Sequence, residues 1–309
     1  MWQGLIYGPD GIDRDIAYNL VRFYGRLGIR VRFSAVLDAA DLLIMTRAAD
    51  ISIDLSSYDY SLIHIYDYLG REYDEFIKGV DWTKTYIYTT SEKRRERIIH
   101  ELGFPNNQIC TMLLPVEASI WMQKLKDIKY RSVHIGHFKP ITESDSLKGL
   151  FYNALKVMQV DVWGNRWEGV LNSELYHGGA ELNDVSFIYA QSEFAFGFMY
   201  PFQRDCTYSG RFWHAPLNGC AVFSEKGFYT DKIPGIIETD YTIEDIRKKI
   251  SQYPKNRDQV RREAEKFWKA QNRIAMSFIK PTLKLLGKPK FDLIDYLRTI
   301  KLRIKSNWK

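Results

Sequence analysis

Gly4-Leu5-Ile6-Tyr7-Gly8-Pro9-Asp10-Gly11, followed by apolar residues at Ile12, Ile16, Leu20, Val21, Tyr24 and Leu27 and closed by Gly28, decides the fold class. Gly4 to Tyr7 is a short apolar run of strand length, and the Gly8-Pro9-Asp10-Gly11 turn breaks it. The apolar positions after the turn recur at helical spacing. Gly28 stops that helix, and Ile29 to Phe33 resumes as a strand. Strand, turn, amphipathic helix and strand form a βαβ unit, which demands a parallel sheet.

Working outward, Ser61 to Tyr66, Thr85 to Tyr88 and Ile109 to Leu113 read as further strands, with Ser91 capping a charged helix through Leu102. This first α/β unit ends near Pro115. The charged stretch from Gln123 to Tyr130 precedes a second cycle. A strand at Ser132–Ile135 runs into Gly136-His137-Phe138-Lys139-Pro140, a helix is expected at Ser146–Met158, and a strand at Val160–Trp163 ends in Gly164-Asn165-Arg166. Phe187 to Ala190 starts another segment, Glu193 to Met199 is apolar, Gly210 to Leu217 is helical and Cys220 to Ser224 is a buried strand. The expected organisation is a first Rossmann-like domain over 1–125, a second over 131–268 and a basic amphipathic segment over 269–309.

The 309 residues carry 44 Lys and Arg against 38 Asp and Glu, a net charge of +6. That charge is divided unevenly. From Ile246 to Lys309 there are 19 basic and 5 acidic residues, a balance of +14, which leaves −8 for residues 1–245. Beyond Pro281, Ile294, Leu297, Ile300, Leu302 and Ile304 alternate with Arg298, Lys301, Arg303 and Lys305 in a basic amphipathic pattern. Such a segment fits a membrane surface, a docking contact on the acidic body or the phosphates of DNA. Three cysteines, Cys110, Cys206 and Cys220, without CxxC spacing argue against a disulfide scaffold or zinc ribbon and fit a reducing cytoplasm. The first ten residues lack a basic leader region, and nowhere do about 18 apolar residues run together.

Resemblance adds to this reading. Tyr88-Thr89-Thr90-Ser91, Leu102-Gly103-Phe104-Pro105, Gln108-Ile109 and Leu114-Pro115-Val116-Glu117 resemble the end of the N-terminal domain of GT-B glycosyltransferases, although Val116-Glu117 departs from the usual Asp ending. Val162-Trp163-Gly164-Asn165, Tyr189-Ala190-Gln191-Ser192 and the run from Ser209 to Glu225 resemble the donor half of CgeB-like glycosyltransferases and, more remotely, of phage DNA β-glucosyltransferases. Arg211 matches the family's Arg, Asn218-Gly219 matches its small-Gly pair, and His214 stands where the family has Glu. The resemblance implies an α/β fold of two Rossmann-like domains facing across a cleft, with C-terminal helices crossing back. It also implies transfer of a sugar from a nucleoside diphosphate sugar to a hydroxyl of a surface-glycan or lipid-linked acceptor. The alternatives are a DNA acceptor with hydroxymethylated bases, or a protein that binds nucleotide sugars without catalysis. A cytoplasmic protein, peripheral at the inner membrane face, is expected.

On chemistry, a metal-independent transferase neutralises a departing diphosphate with cations and backbone amides. Gly136, His137, Lys139, Gly164, Asn165, Tyr208, Ser209, Gly210, Arg211 and His214 are the expected donor-binding residues, with Arg211 and Lys139 as the cations. An inverting reaction needs a general base, for which Asp67, at the end of a strand, comes first, then Asp10 in the first turn and His64 within the strand. Asp13-Arg14-Asp15 begins an amphipathic helix and reads as a favourable helix start, not as a metal site. The six histidines show no HExxH or i,i+4 pairing, so no metal and no cofactor beyond the co-substrate is expected. Gly8-Pro9-Asp10-Gly11 is not a dinucleotide fingerprint.

Overall fold

The computed structural model describes residues 3–7, 14–34, 40–45, 55, 58–65, 72–140, 146–199, 204 and 208–285. Six strands, β1 (Gln3–Tyr7), β2 (Arg30–Ser34), β3 (Leu42–Met45), β4 (Tyr60–Ile65), β5 (Thr85–Thr89) and β6 (Ile109–Thr111), form the first sheet. Their order is β2-β1-β3-β4-β5-β6, and every pair is parallel. Helices α1 (Arg14–Arg26), α2 (Glu72–Gly79) and α3 (Glu92–His100) are the crossovers of this half, and α4 (Ala118–Trp121) follows β6. The βαβ unit read from the opening residues is present, with Gln3 beside Arg30 and Tyr7 beside Ser34. Ser91 caps α3 by accepting a hydrogen bond from the Arg94 amide.

The second sheet has five parallel strands, β7 (Tyr130–Ile135), β8 (Asp161–Trp163), β9 (Ser192–Phe196), β10 (Ala221–Ser224) and β11 (Ile236–Glu238). Their order is β11-β10-β9-β7-β8. Helices α5 (Ser146–Val157), α6 (Leu182–Ala190), α7 (Arg211–Leu217), α8 (Ile243–Gln252) and α9 (Arg257–Leu285) are the helices of this half among the described residues. Phe187 to Ala190, read as the start of a segment, is the end of α6.

Alternation along the strands sorts side chains between separate cores. In the first sheet Leu43, Ile63, Ile65 and Ile87 pack with Phe76 and Ile77 of α2 and Ile98 of α3 on one face. On the other face Leu62 and Tyr88 join a cluster that also takes Leu20 and Phe23 of α1, Trp213 and Leu217 of α7, and Trp268, Ala275 and Ile279 of α9. The outer core of the second sheet holds Phe151, Leu155, Val162, Phe194, Phe196, Phe223 and Ile246. A single apolar cluster therefore joins the two halves; each large side chain removed from water there contributes about 1.5–3 kcal/mol.

Helix α9 is the clasp. Arg257 donates to Lys126 O (2.7 Å) in the linker, and Arg261 donates to Gln123 O (2.7 Å). Three turns on, Asn272 takes the Val116 amide (2.9 Å) and gives to Val116 O (2.8 Å). Near its end, Thr282 accepts from the Tyr88 hydroxyl at 3.2 Å. The helix thus runs unbroken through residue 268, where the sequence reading drew a boundary, and passes Pro281 without ending. Residues 286–309, which hold most of the basic amphipathic pattern, lie outside the described residues.

Candidate functional site

In parallel sheets, crevices form at the carboxyl ends of strands where the order reverses. Those points are β1/β3 in the first sheet and β7/β9 in the second. The two ends face each other. Asp15, one residue into α1 beyond β1, places its Oδ2 3.4 Å from His214 Nε2 of α7 and beside Gly210, whose added Cβ would stand 3.1 Å from the same oxygen.

At the β7/β9 reversal sits Arg211. Its Nε donates to Ile135 O at the end of β7 (3.0 Å), and its Nη1 donates to Phe198 O just past β9 (3.4 Å) and to Ser209 Oγ (3.1 Å). Nη2 has no partner among the described residues and lies against Gly136, 2.6 Å from where a Cβ would stand. One nitrogen of a guanidinium pinned on two strand ends is thereby left as a donor over the Gly136 loop. Arg211 opens α7, and Ser209, two residues before it, orients it.

The Gly136 and Gly164 loops touch through their backbones. Gly136 N donates to Trp163 O (2.8 Å), Phe138 N to Asn165 O (2.9 Å), and the Asn165 amide to His137 Nδ1 (3.0 Å). A Cβ on Gly164, whose φ is +136°, would stand 2.0 Å from Gly136 O, so only glycine closes this contact. His137, Lys139 and Asn165 are exposed at its rim. Beneath it lies His134, fully enclosed, with Nδ1–H donating to Phe196 O (2.8 Å). Burial first, and then the Arg211 charge, lower its pKa to about 3, so the ring is neutral and Nε2 carries a lone pair.

Sequence reasoning missed Glu225, which follows β10. Its buried carboxylate accepts from Met199 N (2.6 Å), Arg204 Nε (3.3 Å), Ser224 Oγ (3.2 Å) and the Tyr241 hydroxyl (2.7 Å). The Tyr241 hydroxyl also lies within hydrogen-bond reach of Gly197 O, sharing its one proton between that carbonyl and the Glu225 carboxylate, and receives the Glu225 amide. This hub holds the segment Gly197 to Met199, whose Phe198 carbonyl takes Arg211. The only signal in the sequence is a Glu directly after an apolar strand, which any turn also offers.

Several expected site residues lie elsewhere. His64 is enclosed in the first sheet, sharing a 2.7 Å hydrogen bond with the Tyr24 hydroxyl and a tilted ring contact with Tyr88; burial lowers its pKa to about 3. Its side chain is fully buried, which places it in the core of the first sheet and away from the crevice at the strand ends. Tyr208 is a buried peg between the halves: its hydroxyl accepts from Leu114 N (2.8 Å) and its ring packs on Trp213, Tyr229 and Trp268. His214 is also buried, edge-on to Trp121 (4.4 Å) and directed at Asp15, so it does not front the Gly136 loop. Asp10 and Asp67 lie outside the described residues. Among the described residues no group of three or more His, Cys, Asp and Glu could hold a metal ion.

No protein-family model and no curated protein matches the chain. Solved structures do. AviGT4, a glycosyltransferase involved in avilamycin A biosynthesis, aligns with TM-score 0.61 and 12% identity over 93% of this chain and 98% of its own. Anabaena HepE, in complex with UDP and glucose, aligns with TM-score 0.61 and 10% identity over 91% of this chain and all (100%) of its own. T4 phage β-glucosyltransferase in complex with UDP-glucose gives 0.57 and 9% over 93% and 100%. The chain has the α/β, two-sheet GT-B fold of these glycosyltransferases, along the full length of theirs.

Proposed function

We propose that the protein is a glycosyltransferase that takes a sugar from a nucleoside diphosphate sugar, without a metal or further cofactor, and delivers it to a hydroxyl of a surface-glycan or lipid-linked acceptor. The observation that carries this reading is Arg211, fixed on Ile135 O and Phe198 O at the strand reversal with Nη2 free of described partners. A diphosphate at that nitrogen receives charge-assisted hydrogen bonds that strengthen as the leaving group gains charge. The second domain, 131–268, holds the donor through the Gly136, Gly164 and Ser209–Arg211 loops, with Lys139 as a second cation. The first, 1–125, presents the acceptor, and Asp67 or Asp10 takes its proton. The fold shared with nucleotide-sugar transferases supports the reading.

The test is thermal unfolding and calorimetry with UDP, GDP, CMP and dTDP and their sugars. One nucleotide is expected to raise the melting temperature by mass action, and Arg211→Ala is expected to abolish that rise. No rise with any nucleotide, or a rise unchanged by Arg211→Ala, overturns the reading. A second reading, binding without transfer, is favoured by His214, which occupies the family's Glu position and is spent on Asp15. Release of nucleotide from a bound donor in the presence of glycan, lipid-linked or DNA acceptors separates the two and identifies the acceptor.

A further inference from the structure

The outward side of α9 carries a feature that neither the interdomain clasp nor the donor site uses. Ala264, Trp268, Asn272, Ala275, Ile279 and Thr282 are its buried seam. Beside that seam, Ile274 is 44% exposed, Phe278 41% and Leu285 74%. At 3.6 residues per turn these three and the exposed Pro281 fall within about 60° of arc and extend for about 16 Å. Arg273, Lys280 and Lys284, all exposed, form the neighbouring outward ridge, which Lys266 and Lys269 continue toward the amino end. No Asp or Glu occurs from Lys266 through Phe291.

We propose that this face of α9 docks on an anionic phospholipid bilayer. Large apolar side chains beside a row of cations are what a helix lying in the headgroup plane presents: the rings and branched chains enter the acyl boundary and the Lys and Arg stems reach back to lipid phosphates. Charge complementarity selects this occupant. The remaining segment from 286 on is itself basic, with 7 Lys and Arg against 2 Asp, so folding it onto the cationic ridge brings like charges together. A second copy of the chain pairing through this same face meets the same repulsion. DNA satisfies the cations but gives Ile274, Phe278 and Leu285 no apolar partner. The inference stands apart from nucleotide binding, because none of these residues touches the Arg211 site.

The experiment is sedimentation of the full chain with vesicles of pure phosphatidylcholine and of phosphatidylcholine with about 30% phosphatidylglycerol, at low and high salt. Retention is expected on the anionic vesicles alone and is expected to weaken with salt. The double variant Ile274→Ser, Phe278→Ser is expected to partition at least about tenfold more weakly with an unchanged melting temperature, since both positions are exposed. Arg273→Gln with Lys280→Gln and Lys284→Gln is expected to lower retention on the anionic vesicles as well. The proposal is overturned by absence of retention on anionic vesicles. It is equally overturned if both α9 variants bind like the parent while removal of 286–309 alone abolishes binding, or if duplex DNA is retained more tightly than vesicles. Nucleotide-induced stabilisation measured on the same variants is expected to be unchanged, which separates failure here from failure of the donor site.

Discussion

Gly136→Ala is the substitution that interrogates the Arg211 site most directly. The added methyl stands 2.6 Å from Arg211 Nη2 and 2.9 Å from His134 Nε2. Ordinary contacts of this kind lie near ~3.5 Å, so about 1 Å must be found. His134 is enclosed and tied to Phe196 O, whereas the guanidinium is the far end of a flexible side chain. The guanidinium therefore yields, and Nη2 leaves the position over the loop. Overpacking of this size costs the fold about 1–3 kcal/mol. The nucleotide loses one charge-assisted hydrogen bond, worth about 1.5–3 kcal/mol, so affinity falls by about 10- to 150-fold. Gly164→Ala is the contrast: its methyl meets backbone, Gly136 O at 2.0 Å, at a φ of +136°, and nothing there can yield. That variant is expected to lose its cooperative thermal transition, while Gly136→Ala keeps it. The assay is calorimetric titration with UDP, or whichever nucleotide stabilises the parent, with thermal unfolding on the same samples. A folded Gly136→Ala that binds with parental affinity would refute the placement of the diphosphate at Nη2.

Other expectations follow from the same geometry. Glu225→Gln removes the ion pair with Arg204 and weakens the hold on Met199 N, so nucleotide affinity falls by about tenfold or more with a smaller change in melting temperature; equal loss of both in titration and unfolding contradicts a positioning role. Asn272→Leu removes both bonds to Val116 and strands the Val116 amide, destabilising the protein by about 2–4 kcal/mol as read by urea denaturation. His64 and His134 both have folded pKa values of about 3 against about 6.5 unfolded. The unfolded chain therefore binds more protons between those limits, and stability is full above about 6.5 and falls by up to about 1.4 kcal/mol per histidine per pH unit as pH drops toward 3. Denaturation midpoints flat from pH 7 to pH 5 in the parent, or unchanged by His64→Gln in their slope, contradict this.

The fold class was legible because its signature is periodic and local. Gly4 to Phe33 spells one βαβ unit, and the second half repeats the alternation, so two parallel sheets were accessible from spacing alone. Among the elements that were not are β3, β11, α2, α4 and α8. Leu42-Leu43-Ile44-Met45 is buried on both faces and so lacks alternation, and Ile236–Glu238 is only 3 residues long. Arg211 was legible as a cation after a Gly, but its hydrogen bonds join residues 76 and 13 positions away, which no local pattern announces. Tyr208 and His214 illustrate the opposite case. Polar aromatic residues beside a predicted loop look like ligand contacts, yet both are buried where the halves meet, because their rings fill apolar space while a single polar atom finds a partner, Leu114 N or Asp15. Glu225 was invisible because its four partners come from three separate segments of the chain.

The uneven charge acquires a structural meaning through α9. The helix is tied by Arg257 to Lys126 O in the linker and by Asn272 to Val116 at the end of the first domain, so it cannot turn independently of either half. Its seam faces the protein and its cationic, partly apolar side faces out. A bilayer on that outer side fixes the attitude of the whole molecule, and with it the direction in which the cleft between the two sheets opens. Under the two proposals above, an acceptor carried on lipid would reach the cleft by diffusion in two dimensions, while the nucleotide sugar would arrive from solution at Arg211. The +14 of the last 64 residues and the −8 of the rest then match the two proposed contacts, a surface for α9 and a solution-borne donor for the body.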